Sequence, residues 1–173
     1  MGLQQQPQRI LLPAKVSFIV LTIALALLFN LLPWRNTVGV PDLTAAVLAF
    51  WCIHQPRRVG IGVAWTLGLL LDVGNNALIG QHALGYSVLA FLALAVHRRI
   101  HWFPLWQQAL HLLALLLATQ LLTLLIRMVA GASFPGWTYF ASSFICAALW
   151  PALSFMLLSP QRQAEMKDEN RPI

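Results

Sequence analysis

Acidic side chains are the scarcest feature of this sequence. Asp42, Asp72, Glu165, Asp168 and Glu169 are the only five among 173 residues. Charged residues of both signs make up 9% of the chain, against about 25% in an average soluble domain. A water-soluble globule is excluded, because too few charges remain to dress its surface. Cysteine is nearly absent as well. Cys52 and Cys146 each fall inside an apolar run and have no closely spaced ligand partners, which excludes a disulfide scaffold and a cysteine-based zinc centre. Missing too are a phosphate-cradling glycine loop, an HExxH helix, a GxSxG elbow and any string of carboxylates that could relay protons. No polar segment is long enough to form a soluble catalytic domain. The sequence therefore leads us to expect neither an enzyme nor a bound cofactor or metal.

What the chain has in abundance is apolar residues, 59% of the total, with a mean hydropathy of +0.72. This excess excludes disorder and collagen-like structure. The apolar residues gather into blocks of the length that crosses a bilayer, about 20 residues. Six spans are expected, at 16–34, 41–54, 61–80, 82–96, 105–130 and 137–158. Pro, Gly, Asn or basic pairs mark the breaks between them. The first run is longer than the apolar core of a signal peptide, so it reads as an uncleaved helix. The fold class is all-α: a compact polytopic bundle of six transmembrane helices. A tail at 1–15, a membrane domain at 16–158 and a tail at 159–173 make up the chain.

Charge asymmetry orients the bundle. Arg9, Lys15, Arg57, Arg58, Arg98, Arg99, Arg162, Lys167 and Arg171 fall on one side of the six-span map, and only Arg35 and Arg127 on the other. Basic residues favour the cytoplasmic side, so both termini are expected there. The net charge of +6 and the pI near 10.4 follow from the same rule and require no nucleic-acid partner. Trp34, Trp51, Trp102, Trp106 and Trp137 map to span ends, as an interfacial aromatic belt would. Trp65 and Trp150 map within spans and are expected to pack.

Asp72 is the most informative side chain. It maps about halfway along the third span, where a carboxylate costs about 2.5–3.5 kcal/mol on insertion scales and turns toward a bundle interior or wet cavity. Ala64, Gly68, Asp72 and Asn76 recur at four-residue spacing and so share a helical face. Small residues there permit close approach, and polar ones hydrogen-bond across it. A helix-packing role is the plain reading; transport or catalysis is the sharper one. Asp42, directly after Pro41, suits a helix start, where a negative charge is favourable. Its depth argues against a shared-proton dyad with Asp72. Gln81 and His82, at the start of span four, could satisfy a helix end or face a partner. Gln120, Thr123 and Arg127 form a second polar stripe on span five, suited to a groove or to gluing helices together. Arg127 could pair with Asp42 or Asp72. His97 and His101 are four apart, but Arg98 and Arg99 beside them oppose a cation, so a hydrated loop is the plain reading.

Several segments together resemble the MreD rod shape-determining family of proteobacteria. They are Val40-Pro-Asp-Leu43, His54-Gln-Pro-Arg-Arg-Val-Gly-Ile-Gly62, Gly68-Leu-Leu-Leu-Asp72, Gly80-Gln-His-Ala-Leu84, His97-Arg-Arg99 through Trp102-Phe-Pro104, Gln108-Ala-Leu110, Phe134-Pro-Gly-Trp137, Trp150-Pro151 and the terminal Asp168-Glu-Asn-Arg-Pro-Ile173. No single motif is diagnostic; their order and register carry the likeness. The resemblance implies a non-enzymatic inner-membrane component of the rod elongation machinery. It implies binding to the single-span protein MreC, and a link between MreB filaments and the wall synthases, RodA and a class B penicillin-binding protein. On this view the span-three face supports a partner helix, and a second copy of the chain is a further candidate partner. Arg57, Arg58, Arg98 and Arg99 would meet cytoplasmic partners or, by default, anionic lipid. The rival class is a transporter, since the family looks distantly similar to substrate-binding subunits of energy-coupling-factor vitamin transporters. Asp72, Asn76, Gln81 and His82 would then line a small-molecule pocket near the outer face. A third class, an intramembrane hydrolase, would rest on Asp72.

Overall fold

The computed structural model describes residues 14–33, 39–100 and 102–161. Trp34, Arg35, His101 and most of both tails lie outside the described residues. Six α-helices follow one another among the described residues: α1 Val16–Leu31, α2 Leu43–His54, α3 Ile61–Gly74, α4 Gln81–Ile100, α5 Leu105–Val129 and α6 Ala141–Leu158. A 3₁₀ turn at Trp137–Phe140 leads into α6. Gln81–Ile100, Leu105–Val129 and Trp137–Leu158 are long and apolar enough to cross a membrane, whereas α1, α2 and α3 are shorter apolar helices.

Exposure is inverted relative to a protein dissolved in water. Val20, Leu25, Leu28, Phe91, Leu121, Phe155 and Met156 are among many large apolar side chains that face outward. Thr44, Asp72, Gln81, Thr119, Thr123, Ser142, Ser143 and Ser154 are buried. Water would penalise such a continuous apolar shell. Hydrocarbon accepts it, and drives polar groups inward to find partners.

The centre of the bundle is α2. Every residue from Thr44 to Ile53 is buried, as expected for a helix that is apolar all round. It packs against α1, α4, α5 and α6. Trp51 is fully buried in this core, contrary to the belt position expected for it. Its indole N–H donates to Thr22 Oγ1 at 3.0 Å, and its ring packs edge-on against Phe18 and Phe50. Trp65, expected to pack, is 49% exposed, while Trp150 is fully buried. Trp102, Trp106 and Trp137 are largely exposed.

Two boundaries differ from the sequence expectation. Span three was expected to reach residue 80, but α3 ends at Gly74. Asn76 adopts a left-handed φ of 49° and Gly80 a φ of 98°, so the chain turns there. The apolar pair Leu78 and Ile79 imitates a continuing span in the sequence. Asp72 therefore lies in the last turn of α3, not halfway along it. In the other direction, α4 runs on to Ile100 and takes in His97, Arg98 and Arg99 as its last turn. Those basic groups suit the negative end of a helix dipole, so they belong to a helix end rather than to a loop.

Candidate functional site: a polar vestibule above the central helix

The 12 residues of α2 span roughly 18 Å, well short of a hydrocarbon core of about 30 Å. The space above its N-terminus is left to the side chains of its neighbours. A cavity of about 390 Å³ opens there. Asn30 of α1, Asp42, Leu71 and Asn75 at the end of α3, His82 and Tyr86 of α4, Thr119, Gln120 and Thr123 of α5, and Tyr139 and Ser142 before and within α6 line it. A recess of about 20 Å³ continues from Asp42 between α5 and α6, room for one water molecule.

Asp42 forms the floor. It is the N-cap of α2, and its Oδ1 accepts the Ala45 backbone N–H at 2.9 Å. Oδ1 also accepts from Asn30 Nδ2 at 2.6 Å. The Tyr86 hydroxyl lies 2.9 Å from both carboxylate oxygens and donates to them. The Cys146 thiol donates to the Asp42 carbonyl at 3.5 Å. One residue thus joins α1, α2, α4 and α6. The cap is the structural role expected of Asp42, and the cross-helix network is an addition to it.

Asp72 caps a helix that is not its own. The residue preceding α4 is Gly80, which has no side chain with which to cap it. Asp72, fully buried, supplies the acceptor from α3. Its Oδ2 accepts from the backbone N–H of Gly80 at 2.9 Å and of Ala83 at 3.3 Å. Its Oδ1 accepts from the His82 backbone N–H at 2.9 Å and from His82 Nδ1 at 2.8 Å. A negative side chain is favourable at this positive end of α4. Because a carboxylate only accepts, the imidazole proton is assigned to Nδ1.

The remaining sequence candidates divide clearly. Ala64 and Gly68 are buried and Asn76 is exposed, so the four do not form one continuous contact face. An added Cβ on Gly68 would lie 2.4 Å from Ala83 Cα; the small stripe of α3 is therefore occupied by α4 of the same chain. Gln81 is buried, and its backbone N–H donates to the Leu78 carbonyl at 3.0 Å. Of the four residues assigned to a pocket on the transporter reading, only His82 lines the vestibule. Gln120 clamps α5 to α6: its Nε2 donates to the Tyr139 carbonyl at 3.2 Å and to Ser142 Oγ, and its Oε1 accepts from Ser143 Oγ at 2.7 Å. Thr123 stands against Gly85, where an added Cβ would meet its Oγ1 at 2.8 Å. Among the described residues Arg127 makes no ion pair with Asp42 or Asp72; the ion-pair contact is His82 with Asp72. No hydrogen bond joins the two aspartates, and each holds a separate set of donors. Arg57, Arg58, Arg98 and Arg99 are exposed, and Arg58 donates to the Ala14 carbonyl just before α1.

Asn30, Tyr86, Thr119, Tyr139 and Ser142 were not singled out in the sequence. Asn30 was the detectable one, a lone amide inside an apolar run, which marks a buried contact by default. Tyr86 meets Asp42 across 44 residues of chain, and no local pattern carries that pairing.

Bundle and vestibule define a helical membrane protein, apolar outside, with a polar chamber at one end. The family model described as rod shape-determining protein MreD matches residues 9–159. The chain belongs to the MreD family. It is similar to the rod shape-determining protein MreD of Haemophilus influenzae (strain ATCC 51907 / DSM 11121 / KW20 / Rd), with 26% identity over 146 residues, 82% of this chain and 89% of that relative. No solved structure matches it. Membership in this family assigns the chain a role in rod-shape determination.

Proposed function

We propose that this protein is a non-enzymatic scaffold of the bacterial inner membrane that crosses it six times with both termini in the cytoplasm. It binds MreC, and through that contact helps couple MreB filaments to RodA and a class B penicillin-binding protein. The observation that carries this reading is the family match over residues 9–159. The architecture supports it: short connections, an apolar outer shell, and polar groups committed to contacts between helices. The short helices α1, α2 and α3 can still span by local thinning of the bilayer. Arg57 and Arg58 sit exposed in the turn between α2 and α3, and Arg98 and Arg99 in the last turn of α4, where anionic headgroups or a cytoplasmic partner can reach them.

Gentle detergent purification of the tagged native protein, with mass spectrometry of what accompanies it, tests the reading. Recovery of MreC and wall synthases is the expected result. Recovery of ATPase subunits and a transporter scaffold would replace it with the transporter reading. A second test replaces Arg57 and Arg58 with alanine. Unchanged membrane level together with unchanged cell shape would remove their assigned role.

A further inference from the structure

The vestibule presents acceptors. Each Thr or Ser hydroxyl has one proton and two lone pairs, and here the protons are already committed within the helices. Thr119 Oγ1 donates to the Leu115 carbonyl at 2.9 Å, Thr123 Oγ1 to the Thr119 carbonyl at 2.9 Å, and Ser142 Oγ to the Tyr139 carbonyl at 3.3 Å. The Tyr86 proton goes to Asp42. Asn30 gives an N–H to Asp42, while its Oδ1, shielded from solvent, has no hydrogen-bond partner. Gln120 Nε2 is occupied by α6, and His82 Nδ1 by Asp72. Among the described residues, Asp42 Oδ1 takes three donors and Oδ2 takes Tyr86. Arg127, one turn beyond Thr123, is not among the lining residues. Among the described residues the wall is thus rich in lone pairs and carries one carboxylate; its remaining donors are the Asn75 amide and the hydroxyl of Tyr139, to which the Arg127 side chain is hydrogen-bonded.

We propose that this vestibule binds a primary ammonium group, seated on Asp42 Oδ2 and hydrogen-bonded to the surrounding oxygens. An ammonium has three N–H donors and no acceptor, the complement of this lining. A volume of about 390 Å³ admits an ethanolamine-sized head. The source is either the ethanolamine headgroup of a membrane lipid or a free small amine. The site goes beyond the scaffold reading and does not depend on it, because it is defined by the cavity and not by any protein partner.

Native mass spectrometry of the full chain released from detergent micelles tests the proposal. Ethanolamine-, choline- and glycerol-headgroup phospholipids with identical acyl chains are titrated separately. The choline head keeps the positive charge but has no N–H, and the glycerol head has no cation. The ethanolamine lipid should be retained about tenfold more strongly, the order expected for a charge-assisted hydrogen bond. Asp42→Asn should abolish that preference. Asn is as good an N-cap as Asp, so α2 keeps its start, and circular dichroism verifies the fold. Thr119→Val, which removes one lining oxygen and keeps the shape, should weaken retention several-fold. Competition with soluble ethanolamine distinguishes the sources. Binding of free ethanolamine without lipid identifies a small-amine site; retention only as the lipid identifies a headgroup site. Equal retention of the three lipids, with no binding of free ethanolamine, would overturn the proposal. So would an Asp42→Asn protein that folds and binds as before.

Discussion

Asp72 satisfies four donors, three of them backbone N–H groups at the start of a helix other than its own. The arrangement explains why a carboxylate sits in an apolar helix. An unsatisfied buried N–H costs about 1–3 kcal/mol, and hydrocarbon offers no water to relieve it. Asp72→Ala would orphan these donors and is expected to destabilise the bundle by roughly 3–5 kcal/mol, in the range for breaking a buried network. Asp72→Asn keeps one acceptor oxygen but turns an amide toward donors, so a smaller loss of roughly 1–3 kcal/mol is expected. Reversible unfolding in detergent, followed by circular dichroism, measures both. An Asp72→Ala protein as stable as wild type would show that the cap carries no stability. The residue's importance was legible in the sequence from its cost. Its partners were not, because Gly80, His82 and Ala83 approach it only once the chain has turned at Asn76.

At the scale of elements, two close approaches set the shape of the bundle. Gly68 brings the backbones of α3 and α4 into contact, and an added Cβ would lie 2.5 Å from the Ala83 backbone nitrogen. Gly62, on the same helix, has nothing within 4 Å of its missing Cβ. The pair isolates packing from propensity. Gly68→Ala must push α3 from α4 and is expected to cost roughly 1–3 kcal/mol, as overpacking does. Gly62→Ala is expected to be neutral or to stabilise by up to about 1 kcal/mol, since Ala is the better helix former. Thermal midpoints of the two purified variants should therefore move apart, with only Gly68→Ala falling. Equal midpoints would mean that α3 and α4 tolerate separation. The existence, order and helical type of all six elements were legible from apolar blocks and their punctuation. Boundaries were less so, because Leu78 and Ile79 are apolar in a turn while Arg98 and Arg99 are charged in a helix. The vestibule was not legible at all. It arises from the shortness of α2 combined with residues from five other parts of the chain, and no spacing rule links Asn30 to Tyr86 or Ser142.

For the whole molecule, the end that faces the cytoplasm decides which compartment supplies the vestibule, and the bundle makes that orientation measurable. Arg58 bonds the Ala14 carbonyl, so the loop after α2 and the segment preceding α1 lie at one end. The vestibule, the α3–α4 turn and the loop between α5 and α6 lie at the other. Basic residues gather at the first end, where the positive-inside rule puts the cytoplasm. On that rule the vestibule faces outward, and an amine reaching it comes from the outer side. The two native cysteines are free and fully buried, so they should contribute little labelling background. Single cysteines placed at two exposed positions then report the topology. Ser133→Cys is nearly isosteric and lies in the α5–α6 loop. Arg57→Cys lies in the loop after α2. A membrane-impermeant maleimide applied to cells with a permeabilised outer membrane should label Ser133→Cys at once. It should leave Arg57→Cys unlabelled until the inner membrane is opened. The reverse pattern would turn the bundle over, place Asp42 toward the cytoplasm, and make cytosolic amines rather than outer-leaflet lipids the compounds to test first. Labelling of both sites while the inner membrane is closed would break the alternation itself. Fewer than six helices would then cross, with the short apolar helices α1, α2 and α3 the first to be reassigned.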